Sequence, residues 1–203
     1  MRWVTQPDAG SSTTWGELIA QRARAYADAV ARVIAYPVVT PNTLTVLGFV
    51  LTLGVAMVIG RGYLFVGGLL VIVVGLFDML DGAMARVSGL KTRFGGFLDS
   101  TLDRASEAAL LGGVLWAHPE RETALIVLWV LAGSLLVSYT RARGGEEGVK
   151  AEVGWLPRPQ RVVLLAAGLI TGLVIPALWI LAVFTTVTTI QRILHVRKAL
   201  GDR

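Results

Sequence analysis

Two long stretches without a charged residue constrain the fold of this chain more than any other feature. Residues 44–60 (LTVLGFVLTLGVAMVIG) contain no Asp, Glu, Lys or Arg, and neither do residues 162–191. A membrane-spanning helix needs about 20 apolar residues to cross a hydrocarbon core of about 30 Å. The second stretch would be about 45 Å long as one straight helix, so it predicts two helices with a turn near Pro176. The chain is predicted to be a polytopic membrane protein.

The composition supports this prediction. Hydrophobic residues make up 54% of the 203 residues and charged residues 16%, and the mean hydropathy is +0.65. Soluble domains carry about 25% charged residues. The length has room for one domain, and the absence of cysteine excludes disulfides and thiolate chemistry. The net charge of +5 is attributed to membrane orientation, and no nucleic-acid partner is expected.

The predicted fold class is an all-α integral membrane protein with six transmembrane helices. An N-terminal interfacial amphipathic helix is expected before them at residues 14–36, where apolar residues at helical spacing alternate with Arg and Asp. Residues 1–42 would form an N-terminal segment with this cytoplasmic juxtamembrane helix, and residues 43–203 the six-helix membrane domain. The six helices are predicted at roughly 43–60, 63–85, 95–117, 123–143, 158–173 and 176–197.

The basic residues predict the orientation. In this topology sixteen Lys and Arg residues lie on the side of both termini, only Arg61 and Arg121 lie on the other side, and Arg104 lies within the third helix. Cytoplasmic loops of membrane proteins carry the excess of Lys and Arg. A multi-pass protein of the cell membrane with both termini in the cytoplasm is therefore expected.

Four aspartates follow helical spacing on two consecutive predicted helices. Asp78 and Asp81 share one face of the second helix, and Asp99 and Asp103 share one face of the third. Both faces lie at the predicted cytoplasmic ends, where four converging carboxylates would repel one another unless cations were present. Oxygen ligands without nearby His or Cys suit Mg²⁺, or alternatively Mn²⁺, instead of zinc. Two such ions next to a substrate phosphate are the leading hypothesis, and pairing of the aspartates with nearby arginines is the structural alternative.

The segment 78–103 (DMLDGAMARVSGLKTRFGGFLDSTLD) resembles the signature of the CDP-alcohol phosphotransferase family, D-x2-D-G-x2-A-R-x8-G-x3-D-x3-D. The resemblance implies transfer of a phosphatidyl group from a CDP-linked lipid to an alcohol, with release of CMP. It implies that the four aspartates bind the metal ions and that Asp103 is also the catalytic general base. It further implies that the CDP portion contacts Asn42, Thr43, Leu44, Thr45, Gly82, Arg86 and Thr92. Homodimers are common in the family.

The signature leaves the acceptor alcohol open, and a group of arginines bears on it. Arginine binds phosphate bidentately, although positive-inside charge and lipid headgroups explain any single arginine equally well. The runs SYTRAR, RPQR and a late QR are similar to those of family members that make phosphatidylinositol phosphate, whereas Pro157 departs from their pattern. By this resemblance the acceptor's phosphate would be bound by Arg141, Arg161 and Arg192, with Arg158 nearby.

The resulting hypothesis is an enzyme of phospholipid biosynthesis. It would transfer the phosphatidyl group of CDP-diacylglycerol to inositol 1-phosphate in a Mg²⁺-dependent reaction, at a cytoplasmic active site within membrane lipids and in a homodimer. Glycerol 3-phosphate, serine or another alcohol remains an alternative acceptor. A membrane cation transporter is the alternative of a different class, but it has no use for Gly82, Ala85 and Arg86 at fixed offsets from the aspartates.

Overall fold

The computed structural model of the chain describes residues 40–87 and 92–201, without the side chains of residues 79–87. The predicted amphipathic helix at residues 14–36 lies outside this part. The described residues form six α-helices and no strand, so the predicted all-α class is confirmed. The helices are α1 (Pro41–Gly60), α2 (Leu64–Val87), α3 (Arg93–Ala117), α4 (Arg121–Glu146), α5 (Arg158–Thr171) and α6 (Val174–Leu200).

Capping side chains determine where the helices begin. The Thr40 hydroxyl accepts a hydrogen bond from the backbone N–H of Thr43 at 3.3 Å, so α1 begins at Pro41. The Thr92 hydroxyl accepts one from the N–H of Gly95 at 2.9 Å, and α3 therefore begins before the predicted residue 95. At its other end, α4 continues past the predicted residue 143, where Arg143 pairs with the next-turn carboxylates.

The long uncharged stretch contains the predicted turn. Gly172 has a φ of +74°, a left-handed conformation that suits glycine at a helix end. Pro176 lies in the first turn of α6, which begins at Val174. With 14 residues α5 is the shortest helix of the described part. At about 21 Å it is shorter than a hydrocarbon core of about 30 Å, so α5 does not cross such a core by itself.

Among the described residues, three helices are long and apolar enough to cross a membrane, namely α1, α4 and α6. The apolar part of α2 that the structure describes, Leu64–Asp78, is shorter. Large apolar side chains cover the outside of the three helices, with Val50, Leu128 and Val183 each more than half exposed. Such a surface is stable in lipid and not in water, which marks the chain as a membrane protein.

The six helices pack in a closed ring in the order α1, α3, α4, α6, α5, α2 and back to α1. Glycines lie at several of these contacts. A Cβ atom on Gly113 of α3 would lie 2.5 Å from the carbonyl oxygen of Ala56 on α1, and one on Gly168 of α5 would lie 2.5 Å from the Cβ of Ala177 on α6. Because glycine has no side chain, the helices can approach closely at these positions, as is common in membrane bundles.

The bundle has two different halves because successive helices run in opposite directions. The hydrophobic core comes from the C-terminal halves of α1, α3 and α5 and the N-terminal halves of α2, α4 and α6, including Ile59, Val114 and Leu178. The opposite ends of the same helices form what we call the polar half. It contains the buried side chains of Arg161 and Arg192. Charged groups inside a membrane bundle are costly and usually functional. The polar half is therefore the candidate location of a functional site.

Candidate active site

Three of the four predicted metal ligands converge in the polar half. Carboxylate oxygens of Asp78 on α2 and of Asp99 and Asp103 on α3 all lie within 4.8 Å of one another. The convergence follows from the antiparallel packing of α2 and α3 around α1, which brings the end of α2 beside the start of α3. The structure does not describe the side chains of Asp81 and Arg86 or the surroundings of Gly82. The roles of these three residues therefore stay predictions.

A guanidinium group bridges two of these aspartates. The Nη1 atom of Arg158, the first residue of α5, lies 3.0 Å from Oδ2 of Asp78 and 2.8 Å from Oδ1 of Asp103. The positive charge of Arg104 also acts on Asp99 and Asp103, and three carboxylates against two guanidinium groups still leave an excess of negative charge. An all-oxygen donor set with this charge fits a hard divalent cation. The cluster can therefore hold a divalent metal ion, and Arg158 connects it to the helix that carries Arg161.

The predicted nucleotide contacts lie where α1 and α3 begin. A Cβ atom on Gly95 would lie 2.8 Å from Oδ1 of Asn42 and 3.0 Å from Oγ1 of Thr92, so these three residues are packed together. A groove of about 460 Å³ adjoins them on the outside of α1 and is lined by Asn42, Thr43, Val46, Leu47 and Val50. The remaining predicted contacts of this helix, Leu44 and Thr45, lie in the same two turns.

Arg161 is the most deeply buried of the predicted phosphate-binding arginines, with 3% of the residue exposed. Its Nε lies 2.8 Å from Oε1 of Glu107 and its Nη2 lies 3.1 Å from Oε2, while Nη1 donates to the carbonyl of Leu156 at 3.3 Å. The hydroxyl of Ser134 on α4 also donates to Oε1 of Glu107, at 2.8 Å. A buried polar network therefore joins α3, α4 and α5.

Glu107 and Ser134 were missed by the sequence reasoning. Glu107 follows Asp103 by four residues and so lies on the same face of α3 as Asp99 and Asp103. This extension of the aspartate spacing was available in the sequence. Ser134 lies within an apolar stretch of α4, and nothing in its sequence surroundings marks it.

Arg192 and Arg141 complete the predicted acceptor group. Arg192 is 5% exposed and donates from Nε to the carbonyl of Val153 at 2.9 Å and from Nη1 to the carbonyl of Val137. Arg141 is exposed and pairs with Glu152 at 2.6 Å. Arg141 and Arg161 both lie close enough to Arg192 for their positive charges to act on it. Like charges brought together in this way favour an anion between them.

A second groove lies at the other end of the bundle. It has a volume of about 690 Å³ and is lined by His118, Glu120, Glu122, Thr123, Leu125, Ile126, Trp129, Ile175 and Trp179. None of the predicted site residues lines it. The chemistry is therefore assigned to the polar half, where carboxylates and arginines meet.

A membrane-embedded helical protein with a carboxylate cluster that can hold a divalent cation, beside a group of buried arginines, is thus the class that fold and site define. A family model described as CDP-alcohol phosphatidyltransferase matches residues 38–191. The chain belongs to this family of transferases and is an enzyme of that kind.

Individual relatives agree with the family assignment. The curated phosphatidylinositol phosphate synthase of Mycobacteroides abscessus is 39% identical over 174 residues, which cover 80% of this chain and 79% of the relative. A crystal structure of the phosphatidylinositol phosphate synthase of Mycobacterium tuberculosis with CDP-DAG bound superposes with a TM-score of 0.79 at 32% identity, covering 87% of this chain and 98% of that chain. A structure of the same synthase with manganese and citrate gives a TM-score of 0.78 at 32% identity, covering 87% and 93%.

Proposed function

We propose that the chain transfers the phosphatidyl group of CDP-diacylglycerol to inositol 1-phosphate, forming phosphatidylinositol phosphate and CMP. The observation that carries this proposal is the pairing of two chemically different groups in one half of the bundle. Asp78, Asp99 and Asp103 suit the metal-assisted handling of a diphosphate. The buried guanidinium groups of Arg161 and Arg192 suit a second phosphate, which belongs to the acceptor.

The donor would bind where α1 meets the start of α3. Asn42, Thr92 and Gly95 would contact the cytidine nucleotide, together with Gly82 and Arg86 of the predicted set. The groove along α1 opens among exposed apolar residues. The acyl chains would therefore enter sideways from the bilayer while the nucleotide stays at the polar end.

The metal site would hold two Mg²⁺ ions, with Asp81 completing the set of four aspartates; Mn²⁺ suits the same oxygen ligands. Bound ions of this kind neutralise a diphosphate and stabilise the departing phosphate oxygen. Asp103 would accept the proton of the acceptor hydroxyl, whose oxygen forms the new bond to the lipid-side phosphorus. The bond from that phosphorus to the oxygen of CMP breaks, and CMP leaves with the electron pair. Arg158, 2.8 Å from Oδ1 of Asp103, orients this carboxylate.

The membrane arrangement is part of the same proposal. Six helices would lie in the membrane as a domain of residues 43–203, after the segment 1–42 with its interfacial helix. The excess of basic residues at the polar end supports cytoplasmic termini and a cytoplasmic active site in the cell membrane. α5 would lie within the membrane only as a member of the helix ring, because it is short. A homodimer is proposed from the family resemblance alone.

A reconstituted assay tests the proposal directly. Purified chain in liposomes with CDP-diacylglycerol, inositol 1-phosphate and Mg²⁺ should release CMP and phosphatidylinositol phosphate in equal amounts, and chelation by EDTA should stop both. Asp103→Asn should lower kcat by about 10²-fold or more, which is the usual contribution of a general base. Glu122→Gln, an exposed change in the opposite half, is the matched control. Normal activity of Asp103→Asn would contradict the base assignment.

The alternative acceptors and the transporter hypothesis have their own readouts. Competition between inositol 1-phosphate, glycerol 3-phosphate and serine identifies the acceptor, and product from glycerol 3-phosphate or serine alone would refute the inositol assignment. The depth of Arg161 and Arg192 favours a phosphorylated acceptor over serine. Uptake of metal ions into the liposomes without CMP release would favour a cation transporter instead.

A further inference from the structure

We propose that Glu107 is a positioning residue that holds Arg161 in the orientation in which it receives the acceptor's phosphate. The inference rests on the proposed function and extends it from the arginines to the carboxylate behind them. Glu107 touches neither the aspartates nor the proposed substrates in this scheme. It acts through Arg161, with which it makes two charge-assisted hydrogen bonds of 2.8 and 3.1 Å.

The hydrogen bonds of Arg161 account for three of its five N–H groups. A guanidinium has five N–H groups. Glu107 takes one on Nε and one on Nη2, and the carbonyl of Leu156 takes one on Nη1. One N–H on each Nη atom remains. Two N–H groups of one guanidinium can bind two oxygens of one phosphate. In this proposal Glu107 takes the edge formed by Nε and Nη2, and the two remaining N–H groups would receive the anion.

Glu107 also makes the buried charge tolerable. An unpaired guanidinium at 3% exposure would be strongly unfavourable, and the positive charge of Arg192 adds repulsion. The carboxylate offsets both. Its own rotation is restricted by the hydrogen bond from Ser134 on α4, so the orientation of Arg161 is fixed from two neighbouring helices.

The position of Glu107 on α3 connects this group to the proposed base. Glu107 lies four residues after Asp103 on one helix face, which is about 6 Å along the helix axis. One rigid helix would therefore carry both the carboxylate that accepts the hydroxyl proton and the carboxylate that orients the phosphate-binding arginine. The spacing along α3 would set the distance between the acceptor's reacting hydroxyl and its phosphate.

Glu107→Gln is the first test, since glutamine keeps the shape but removes the charge and one hydrogen-bond acceptor. The KM for inositol 1-phosphate should rise about tenfold, the scale of one lost charge-assisted hydrogen bond. The KM for CDP-diacylglycerol should stay the same, and titration calorimetry should show the same tenfold loss in the binding of inositol 1-phosphate. An unchanged acceptor KM, or an equal rise in both KM values, would overturn the proposal.

Two further variants keep the test decisive if Glu107→Gln folds poorly. Ser134→Ala retains the ion pair but releases Glu107, and should raise the acceptor KM alone by a smaller factor, about threefold. In an Arg161→Lys background the change Glu107→Gln should add little further effect on the acceptor KM. Full additivity, or no acceptor-specific effect of Ser134→Ala, would overturn the positioning role. Glu122→Gln should leave every constant unchanged.

Different measurements test the proposed function and the role of Glu107. The product that the unaltered chain makes tests the acceptor. If that product shows a different phosphorylated alcohol, the inositol assignment is wrong, and the ratio of KM values measured with the true acceptor still decides the role of Glu107.

Discussion

Gly95 is a residue whose missing side chain matters for the donor site. A methyl group there would approach Oδ1 of Asn42 to 2.8 Å and Oγ1 of Thr92 to 3.0 Å. Both contacts are side-chain ends, but the Thr92 hydroxyl also caps α3 by accepting from the N–H of Gly95, so only the Asn42 amide could move aside without disturbing a helix. Neither side chain could move without leaving the position from which it would contact the nucleotide. The glycine of the family signature is therefore explained by the space that the neighbouring polar groups need.

Gly95→Ala should weaken donor binding while the chain still folds. We expect the KM for CDP-diacylglycerol to rise about fivefold, the scale of one ordinary hydrogen bond, with a stability loss no larger than that of one helix cap, about 1 kcal/mol. Steady-state kinetics at saturating acceptor measure the change. Gly96→Ala is the control, because a Cβ atom at Gly96 has no neighbour within 4 Å. Equal donor KM values for the two variants would contradict this account.

The site residues differ in how far the sequence could predict them. The convergence of Asp78, Asp99 and Asp103 was predictable, because helical spacing assigns each to a face and the topology brings the helix ends together. The contact between Arg158 and Asp78 was not predictable in this way. The two residues are 80 positions apart, and no periodicity within either helix says which distant side chain will pair with it.

At the scale of elements, the contact between α3 and α1 depends on Gly113. A Cβ atom there would lie 2.5 Å from the backbone oxygen of Ala56, which cannot turn away as a side chain could. Because α3 carries Asp99, Asp103 and Glu107, a change in its distance from α1 would disturb both charged groups of the polar half.

Gly113→Ala should destabilise the folded chain by about 1–3 kcal/mol through overpacking. Gly112 is the neighbouring residue on the same helix, and a Cβ atom added there has no atom within 4 Å. Gly112→Ala should therefore be neutral, or should stabilise the fold by up to about 1 kcal/mol through helix propensity. Thermal unfolding of the two purified variants in the same detergent measures the difference. Equal stability of the two would show that the contact with α1 is not tight.

The positions of the helices along the chain were largely predictable from the sequence. Which helices pack against each other was not. Uncharged apolar stretches specified α1 and the pair α5 and α6, while the capping threonines Thr40 and Thr92 explain the starts of α1 and α3. The order of helices around the ring depends on which faces fit together, as in the approach of Gly113 to α1. That fit is a property of two surfaces and does not appear in the pattern of either one.

At the scale of the whole molecule, the two halves of the bundle predict an orientation that labelling can check. The chain has no cysteine, so single cysteines can be introduced without a background signal. Lys150→Cys and Tyr63→Cys place exposed thiols beyond α4 and between α1 and α2, at opposite ends of the bundle. In intact cells a membrane-impermeant maleimide should label only Tyr63→Cys, and both should react after the membrane is opened. Labelling of Lys150→Cys from outside would invert the proposed orientation.

The closed ring of helices has a consequence for the order in which a growing chain can assemble. α1, α2, α3 and α4 can make their mutual contacts as soon as they emerge, but α2 also packs on α5, and the ring closes only when α5 and α6 have been synthesised. Arg158 reaches Asp78 and Asp103 in this same final step. A ribosome-bound chain that stops before α5 thus carries aspartates without the partner Arg158, and activity has to wait until the last quarter of the chain has been synthesised.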